Sequence, residues 1–519
     1  MTEQQLFVSY VESTLDQLAH DPDRTVLVSA EGRHITAGQV HDEVHRIAAE
    51  LADRGIGRGD TVALYSGNRP EALSARYAVN LLGARVVFLY QGMAPEVLAQ
   101  IVTSVEAALL LVDPELREGV QELAKVTAER MLSFGPSPVA EDLNAAAARQ
   151  AGRRIAGAAR PEDDWCIRHT GGTTGIPKGV RMTHGPYLRQ MRWSAGHMAP
   201  HPRFLACTSL AHVAGLLSDA AIFAGGQVFL QHGFEPGAVL EAVRRERITH
   251  LWLLPPLLYR LLDEVAGTRD PERAEGPDPR MASLRRVTYG GCAASPARLR
   301  QAIEVLGPVL HGLYGQAEAG HISEVGPDEH GVTGRGGQVT AGRAGPGVEI
   351  AIRDGQGRAL PTGQVGEVQV RTPMMMKGYW KQPELTRQVL RDGWVHTGDA
   401  GYLDEDGHLF LVDRLKDMII VVGGHVYPAE LEELLLTHPA VAHCAVFGVT
   451  GADATEEVHA AVVPTPGETV DLPGIKEFVT RHQGAMYAPS ALHVLPEIPL
   501  TDAGKPDKRL LREMAAHRA

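Results

Sequence analysis

Thr170-Gly171-Gly172-Thr173-Thr174-Gly175-Ile176-Pro177-Lys178-Gly179 is the stretch on which the interpretation of this sequence depends. Glycine adopts backbone conformations that are closed to other residues, so a glycine-rich loop can turn several backbone N–H groups toward one ligand. The threonine hydroxyls add further donors, and Lys178 adds a positive charge. The stretch therefore predicts a loop that wraps a polyphosphate.

Two better-known nucleotide loops do not fit this stretch. In the P-loop the lysine is followed by Ser or Thr, whereas Gly179 follows Lys178 here. The Gly-x-Gly-x-x-Gly pattern of dinucleotide-binding folds is absent as well. The sequence thus indicates a third kind of phosphate-binding loop, directly after a strand predicted at 165–168.

The segments around this loop alternate between strand and helix patterns. Before it, apolar strands are predicted at 60–65, 84–90 and 108–112, with helices at 70–82 and 95–105 between them. A second block, residues 204–310, alternates in the same way. This order predicts an α/β fold, in which a large N-terminal domain contains two sheet subdomains with helices on both faces.

Three other regions depart from that alternation. Residues 135–164 are rich in Ala, Arg and Pro without an apolar period, and we interpret them as a surface connection. Residues 340–371 carry short strands between glycine turns, which predicts a small β-barrel-like subdomain. The last hundred residues predict a small α+β domain.

Length and charge restrict the function further. A chain of 519 residues exceeds what one hydrophobic core usually supports, and its net charge of −13 argues against a nucleic-acid partner. The first residues are polar, which predicts no signal peptide, and no apolar stretch is long enough to span a bilayer. Four scattered cysteines without a Cys-x-x-Cys pair indicate reduced thiols rather than zinc or disulfides. We therefore expect a soluble cytoplasmic protein.

The ten residues of the loop resemble the signature loop of the adenylate-forming superfamily, which includes acyl-CoA synthetases, adenylation domains of peptide synthetases and firefly-type luciferases. The family pattern is Ser/Thr, small, Gly, Ser/Thr, Thr, Gly, any residue, Pro, Lys, Gly, and residues 170–179 satisfy every position. The resemblance implies that ATP is bound through Thr170, Gly171, Gly172, Thr173, Thr174, Gly175 and Lys178. We also expect Thr174 to act in catalysis and Thr170 to help hold a Mg²⁺ ion.

Two further segments match the family where predicted strands end. Gly290-Gly291-Cys292 follows one strand, and Tyr314-Gly315-Gln316-Ala317-Glu318 follows a second strand predicted at 306–313. The resemblance implies that adenine lies between this backbone and the Tyr314 ring, and that Glu318 binds Mg²⁺, a cation that prefers carboxylate and phosphate oxygens. Taken singly, a core tyrosine and a surface glutamate would explain both residues as well.

Ala317 is a departure from the family pattern, which has Thr or Ser at this position. The hydroxyl there helps to bind the phosphate and acyl region, so its loss removes a hydrogen bond to an anion worth about 1.5–3 kcal/mol. The nucleotide segments are otherwise complete. The departure therefore bears on the acid substrate rather than on ATP.

Segments nearer the C-terminus match the family in the same order. Asp399, in Thr397-Gly398-Asp399, corresponds to the aspartate that accepts both ribose hydroxyls. Arg414 is expected near the ribose and phosphate, and Lys416 at a hinge. We accordingly expect an adenylation domain at 1–413 and a mobile domain at 414–519, in which residues 423–428 would line a thiol channel.

Lys505 stands in Pro499-Leu500-Thr501-Asp502-Ala503-Gly504-Lys505, which resembles the family's Pro-x-Thr-x-x-Gly-Lys. A carboxylate that attacks an α-phosphate brings two anions together, and a cation on a flexible loop can bridge both. The resemblance therefore implies that Lys505 is the catalytic lysine.

His212 lies where many acyl- and aryl-CoA ligases have a histidine or an aromatic residue at the mouth of the acyl pocket. We expect it to have a catalytic role, with a buried core histidine as the alternative. The pocket is expected to draw on residues 210–215, 290–292, 315–317 and 321–322.

The resemblance implies an AMP-forming ligase that uses ATP, Mg²⁺ and CoA. It would convert a carboxylic acid, aryl or medium-chain, to acyl-AMP and transfer the acyl group to a nucleophile: CoA, a carrier protein or an amine. Ala317 and the segment Leu89-Tyr90-Gln91-Gly92-Met93 leave open a biosynthetic enzyme that activates a small anion such as nitrite for diazotisation of an arylamine. A catalytically silent nucleotide-binding protein is the alternative from another class.

Overall fold

The computed structural model describes residues 7–91, 93–170, 178–269, 276–335, 337–414, 419–421, 424–450, 456–501 and 504–516. For Thr170 and Arg414 it describes the backbone alone. Residues 171–175 of the signature loop, including Thr174, and the expected hinge Lys416 lie outside the described residues.

The described helices are distributed along the whole chain. They are α1 (Tyr10–His20), α2 (Ala37–Asp53), α3 (Pro70–Leu81), α4 (Pro95–Ser104), α5 (Arg117–Thr127), α6 (Leu143–Ala148), α7 (His184–Gly196), α8 (Val213–Phe223), α9 (Pro236–Glu246), α10 (Pro255–Gly267), α11 (Pro296–Leu306), α12 (Pro383–Val389), α13 (Pro428–Leu435), α14 (Leu472–Gln483) and α15 (Lys508–Ala516).

The described strands mostly alternate with these helices up to about residue 310, and fewer helices lie between the strands after it. They are β1 (Thr25–Val28), β2 (His34–Thr36), β3 (Thr61–Tyr65), β4 (Arg85–Leu89), β5 (Leu109–Val112), β6 (Met131–Ser133), β7 (Glu141–Asp142), β8 (Asp164–Thr170), β9 (Lys178–Thr183), β10 (Arg203–Ala206), β11 (Gln227–Leu230), β12 (His250–Leu253), β13 (Arg286–Gly290), β14 (Leu310–Gln316), β15 (Gly320–Val325), β16 (Arg343–Ala344), β17 (Glu349–Arg353), β18 (Gly366–Arg371), β19 (Gly378–Tyr379), β20 (Leu390–Arg391), β21 (Trp394–Leu403), β22 (Leu409–Arg414), β23 (Ile419–Val421), β24 (Gly424–Val426), β25 (Val441–Thr450), β26 (Glu456–Pro464) and β27 (Ala491–Val494).

Two large sheets form the N-terminal part, as the alternation predicts. One has the order β19-β9-β8-β4-β3-β5-β6-β7 and the other the order β16-β15-β14-β13-β12-β10-β11-β1-β2. Their central pairings are parallel, and antiparallel strands lie at the edges. The largest apolar cluster combines side chains of both sheets, and each sheet has a further cluster of its own. The predicted α/β class with helices on both faces is confirmed.

The region after residue 340 forms an antiparallel sheet of its own, in the order β17-β18-β21-β20 with β22 also paired to β21. This is the β subdomain expected there, although the pairing recorded among the described strands is that of an open sheet rather than a closed ring. The C-terminal α+β unit contains the β23-β24 hairpin and the sheet β25-β26-β27. Among the described residues, none of the helices combines the length and the apolar character needed to cross a bilayer.

Two local predictions were wrong in part. Residues 135–164 contain α6, whose Leu143 and Ala147 join the main core, because Asp142 caps this short helix against the sheet edge. The strand predicted at 306–313 begins instead at Leu310, since α11 continues to Leu306 and ends at Gly307 with φ +80°. Tyr314 to Gln316 consequently lie within β14.

A buried ion pair ties three helices together beneath the sheets. Asp219 on α8 pairs with Arg76 on α3, and both side chains are at most 3% exposed. The hydroxyls of Tyr77 and Tyr187 donate to the same carboxylate at 2.6 and 2.5 Å. Because a buried charge without such partners is costly, these bonds stabilise the packing of α3, α7 and α8.

We expect Tyr187→Phe to lower the free energy of unfolding by about 2 kcal/mol, since a buried carboxylate oxygen loses a donor. Chemical denaturation measures the change. Tyr487→Phe is the matched control, because its hydroxyl donates at 3.2 Å to a carboxylate nearer the surface. Equal and small losses in both variants would contradict a stabilising role for the Tyr187 bond.

Candidate active site

The predicted site residues lie on four elements and one loop. Lys178 begins β9, Gly290 ends β13 and residues 291–292 follow it, Tyr314 and Gln316 end β14, Asp399 lies within β21, and Lys505 lies in the loop before α15. β13 and β14 are parallel neighbours, and the carboxyl ends of such strands share one edge of the sheet. Residues that are far apart in the sequence can therefore face one ligand.

Asp399 is held by two residues of the Tyr314 segment. Its Oδ2 accepts the hydroxyl of Tyr314 at 2.5 Å and the side-chain amide of Gln316 at 2.6 Å. The backbone N–H of Asp399 donates to the Thr397 hydroxyl, which itself donates to the Val368 carbonyl. The expected adenine-stacking ring and the expected ribose carboxylate are thus joined directly and fixed to the β subdomain.

Glu318 follows β14 and accepts a hydrogen bond from Tyr379. The Tyr379 hydroxyl donates to Glu318 Oε1 at 2.8 Å, and Lys178 Nζ lies 5.7 Å from the centre of the Tyr379 ring. Burial, followed by the negative charge of Glu318, raises the pKa of Tyr379 well above its usual range. Tyr379, which the sequence analysis did not single out, therefore remains a donor and places the predicted metal ligand beside the predicted phosphate-binding lysine.

Lys505 approaches the segment after β13. Its Cε lies 3.7 Å from the position that a β-carbon on Gly291 would occupy, and Gly291 has φ +88°. The turn that carries Lys505 is closed by the Thr501 N–H donating to the Lys505 carbonyl, by the Gly504 N–H donating to the Thr501 carbonyl, and by the Lys505 N–H donating to the Thr501 hydroxyl. The spacing between Thr501 and Lys505 thus has a structural reason.

Cys292 is next to this lysine but is not a nucleophile at neutral pH. Burial raises the pKa of its thiol to about 12, although the charge of Lys505 acts in the opposite direction. A protonated thiol is a poor nucleophile. Cys292 and the neighbouring Gly290, which a side chain would force against the Leu313 carbonyl, are suited to shaping a binding surface.

His212 precedes α8 and stacks on Tyr90, with ring centres 4.7 Å apart and planes inclined by 15°. Burial, and then the positive charges of Arg168 and Lys505, lower the pKa of His212 to about 3. The imidazole is therefore neutral at physiological pH. In that state it can donate or accept a hydrogen bond, but it cannot act as a positive charge.

A second stacked histidine lies next to the Ala317 segment. His321 is 2% exposed, its ring centre lies 4.2 Å from that of Trp193, and burial lowers its pKa to about 4. Among the described residues, neither of its ring nitrogens has a hydrogen-bond partner. Ala317 itself packs against the apolar cluster of Val180, Met376 and Tyr379. The structure thus gives the departure at position 317 an apolar setting.

We expect His212→Phe to leave the acid limb of the activity–pH profile where it is, because the wild-type imidazole does not titrate above pH 5. Replacement of His212 by Asn would remove the stacking on Tyr90, which is worth about 0.5–1.5 kcal/mol, and would raise the KM for the acid up to about tenfold. Initial rates between pH 5 and 9 measure both effects. A shift of the acid limb in His212→Phe would show that the imidazole is protonated during turnover.

The structure therefore groups the described site residues into three sets. Tyr314 and Gln316 both donate hydrogen bonds to Asp399. Tyr379 donates to Glu318 and lies below the ammonium group of Lys178. Lys505 lies beside Gly291, and its charge lowers the pKa of His212. The roles assigned to these residues, and those of Thr170, Thr174 and Arg414, stay predictions. Tyr90 lies in the segment 89–93 and Arg168 ends the strand predicted at 165–168, but only the tertiary structure shows that both lie near His212.

The chain is similar to known proteins over nearly its whole length. The family model described as AMP-binding enzyme matches residues 15–380, and that described as AMP-binding enzyme C-terminal domain matches residues 430–505. The medium/long-chain-fatty-acid–CoA ligase FadD8 of Mycobacterium tuberculosis is 33% identical over 95% of this chain and 88% of the relative. The fatty acid–[acyl-carrier-protein] ligase ScoC of Streptomyces coeruleorubidus is 32% identical over 97% and 96%.

The fold is also similar to that of solved structures. The amide bond synthetase McbA of Marinactinospora thermotolerans superposes with a TM-score of 0.85 and is 34% identical, covering 98% of this chain and 100% of that one. The similarity thus extends over both sheets, the β subdomain and the C-terminal unit.

Proposed function

Because the chain belongs to the AMP-binding enzyme family, we propose that it converts a carboxylic acid to acyl-AMP with release of pyrophosphate and then transfers the acyl group to the thiol of CoA. It is an AMP-forming ligase. The observation that carries the proposal is the meeting of Lys505 with Gly291, because this brings a cation from the C-terminal unit beside the nucleotide segments of the N-terminal part.

The nucleotide would be held by groups whose positions support one another. Tyr314 would stack on adenine, while its hydroxyl stays bonded to Asp399. An ionised carboxylate makes two charge-assisted bonds to the vicinal hydroxyls of a ribose. Because Gln316 also donates to Asp399, the carboxylate is fixed before the nucleotide arrives. Such pre-organisation lowers the cost of binding.

The donor set around Glu318 suits a Mg²⁺ ion. Glu318 supplies a carboxylate, its orientation is fixed by Tyr379, and the phosphates of ATP would complete an oxygen shell with Thr170. A bound Mg²⁺ would neutralise negative charge on the phosphates. Lys178 adds a positive charge over the Tyr379 ring.

Lys505 would stabilise the attack of the acid on the α-phosphate. The attacking carboxylate and the phosphate are both anionic, so a cation that contacts both lowers the electrostatic cost of their approach. His212 is neutral and Cys292 is protonated, and neither competes for this role. After pyrophosphate leaves, rotation of residues 414–519 about Lys416 would withdraw Lys505 and admit the thiol.

The acid is proposed to be aryl or of medium chain length. Tyr90 stacks on His212, and Ala317 packs against the cluster of Val180 and Met376, so apolar and aromatic side chains contact both residues between which the acid is proposed to bind. Pockets of this composition bind apolar ligands and use a few polar groups for orientation. The fatty-acid ligases among the relatives support this class of substrate.

An amine is a second candidate for the acceptor, because the 34%-identical structure is that of an amide bond synthetase. Both acceptors follow the same adenylation step. They differ in the product that the second step releases, an acyl-CoA or an amide.

ATP–pyrophosphate exchange with a panel of aryl and straight-chain acids, and with nitrite, tests the first step. We expect exchange with at least one carboxylic acid and none with nitrite alone. The active acid is then incubated with CoA or with arylamines, and the product is identified by mass spectrometry. ATP binding without exchange for any acid or anion would contradict the proposal and favour a catalytically silent nucleotide-binding protein.

A further inference from the structure

Arg168 is a partly exposed charged residue in β8, whose other described side chains, from Asp164 to His169, are buried. Trp165, Cys166 and Ile167, which precede it in β8, are each at most 1% exposed. The Nε of Arg168 is buried, and it has no hydrogen-bond partner among the described residues. Leaving this one N–H of a charged group buried and unpaired costs free energy. A functional reason is therefore needed for its presence.

Other arginines of the same sheet do have carboxylate partners. Arg85 on β4 and Arg181 on β9 both donate to Asp164, at 3.2 and 3.0 Å. No carboxylate among the described residues forms an ion pair with Arg168, whose side chain is partly buried. The positive charge of Arg168 is thus not neutralised by this part of the protein.

Strand register places the Arg168 side chain on the face that carries Tyr90. Side chains alternate along a strand, so Arg168 shares the face of Cys166, which belongs to the main core. In the neighbouring β4, Val87 pairs with Ile167, and Phe88 and Tyr90 belong to that same core. Arg168 therefore lies on the side of the sheet where Tyr90 stacks on His212.

The other neighbour of β8 connects Arg168 to the Ala317 side of the pocket. Arg168 pairs directly with Val180 on β9, and side chains opposite each other in an antiparallel pair share a face. Val180 belongs to the apolar cluster against which Ala317 packs. The guanidinium is thus placed between the His212 side and the Ala317 side of the proposed acid site.

Two cations converge on this region. Arg168 and Lys505 both act electrostatically on His212, which is neutral and cannot repel an anion. Surfaces of one sign of charge raise the local concentration of a ligand of the other sign. A guanidinium also presents parallel N–H donors that match a planar group with two anionic oxygens.

We propose that Arg168 binds a two-oxygen anionic group of the acid substrate and thereby selects the substrate. This inference rests on the proposed function, in which the region between His212 and Ala317 receives the acid. The group has two possible sources: the anion that attacks ATP, or a second carboxylate at the far end of a dicarboxylic acid. Either source supplies a counter-ion, which the described residues do not provide.

Arg168→Met and Arg168→Lys test the inference, with Arg181→Met as the matched control that removes an already paired arginine from the adjacent strand. The KM for the acid is measured by ATP–pyrophosphate exchange with straight-chain monocarboxylates and with dicarboxylates of equal length. We expect Arg168→Met to raise this KM at least about tenfold, as for a lost bond between charged groups, and to leave the KM for ATP within about twofold. Arg168→Lys should recover part of the loss, and Arg181→Met should resemble the wild type.

The substrate panel separates the two sources. An increase in KM for every acid alike assigns Arg168 to the attacking anion, whereas an increase for dicarboxylates alone assigns it to the second carboxylate. Unchanged values for all acids in Arg168→Met, with the wild type active, would overturn the inference but not the proposed function.

If no acid gives measurable ATP–pyrophosphate exchange, the melting temperature tests anion binding at Arg168 instead. Each anion is added to wild type and variants without ATP, and the rise in melting temperature reports binding. Stabilisation by an anion in the wild type that is lost in Arg168→Met but kept in Arg181→Met supports anion binding at Arg168, even if the chain were catalytically silent. Equal stabilisation in all variants, or none in any of them, would overturn it.

Discussion

Replacement of Lys505 by Ala is expected to reduce acyl-adenylate formation by about 10²–10³-fold, the usual cost of removing one group that stabilises a developing charge. In the structure Lys505 lies beside Gly291, and its charge lowers the pKa of His212. This position suits the step in which the acid attacks the α-phosphate. ATP–pyrophosphate exchange measures this first step. The KM for ATP should change much less than the maximal rate.

The second half-reaction provides the discriminating comparison. When acyl-AMP is supplied together with CoA, Lys505→Ala should retain most of the wild-type transfer rate, because Lys505 is proposed to leave the site before the thiol enters. Lys476→Ala removes an exposed lysine of the same domain and is the charge-matched control. Equal losses in both half-reactions would refute the division of roles.

Glu318→Gln is expected to lower the exchange rate by about 10²-fold or more, since an amide is a weaker ligand for Mg²⁺ than a carboxylate. The effect should depend on the metal concentration: the Mg²⁺ needed for half-maximal activity should rise, because the predicted ligand is weakened. Initial rates over a Mg²⁺ titration at saturating ATP measure this.

Tyr379→Phe tests the same metal site by a milder change than Glu318→Gln. Its hydroxyl orients Glu318 without being a predicted metal ligand, and the loss of such an orienting bond typically costs about 10–100-fold in metal affinity or activity. We therefore expect Tyr379→Phe to lower the exchange rate and to raise the Mg²⁺ requirement, but by less than Glu318→Gln does. A Mg²⁺ dependence in Glu318→Gln equal to that of the wild type would remove Glu318 from the metal site.

β14 shows where the prediction from sequence and the structure differ. The family resemblance indicates the Tyr314 segment, and the sequence predicts that this segment follows a strand ending at Leu313. The structure extends the strand to Gln316 and pairs Gly315 with His321 of β15. Glycine and alanine carry little strand propensity, so only the cross-strand hydrogen bonds reveal this pairing. The hydroxyl of Tyr314 and the amide of Gln316 meet Asp399 for that reason.

By itself, the sequence determined the α/β class through local periodicity, and its ordered motifs, such as that from Thr501 to Lys505, indicated the family through their resemblance, because both signals lie in residues close together in the chain. Tertiary structure decided which side chains converge. Tyr379 reaches Glu318 across 61 residues, Tyr90 stacks on His212, and Arg168 faces this region without a described counter-ion. Such contacts arise from strand register and packing between distant segments, and a linear sequence carries no local signal for them.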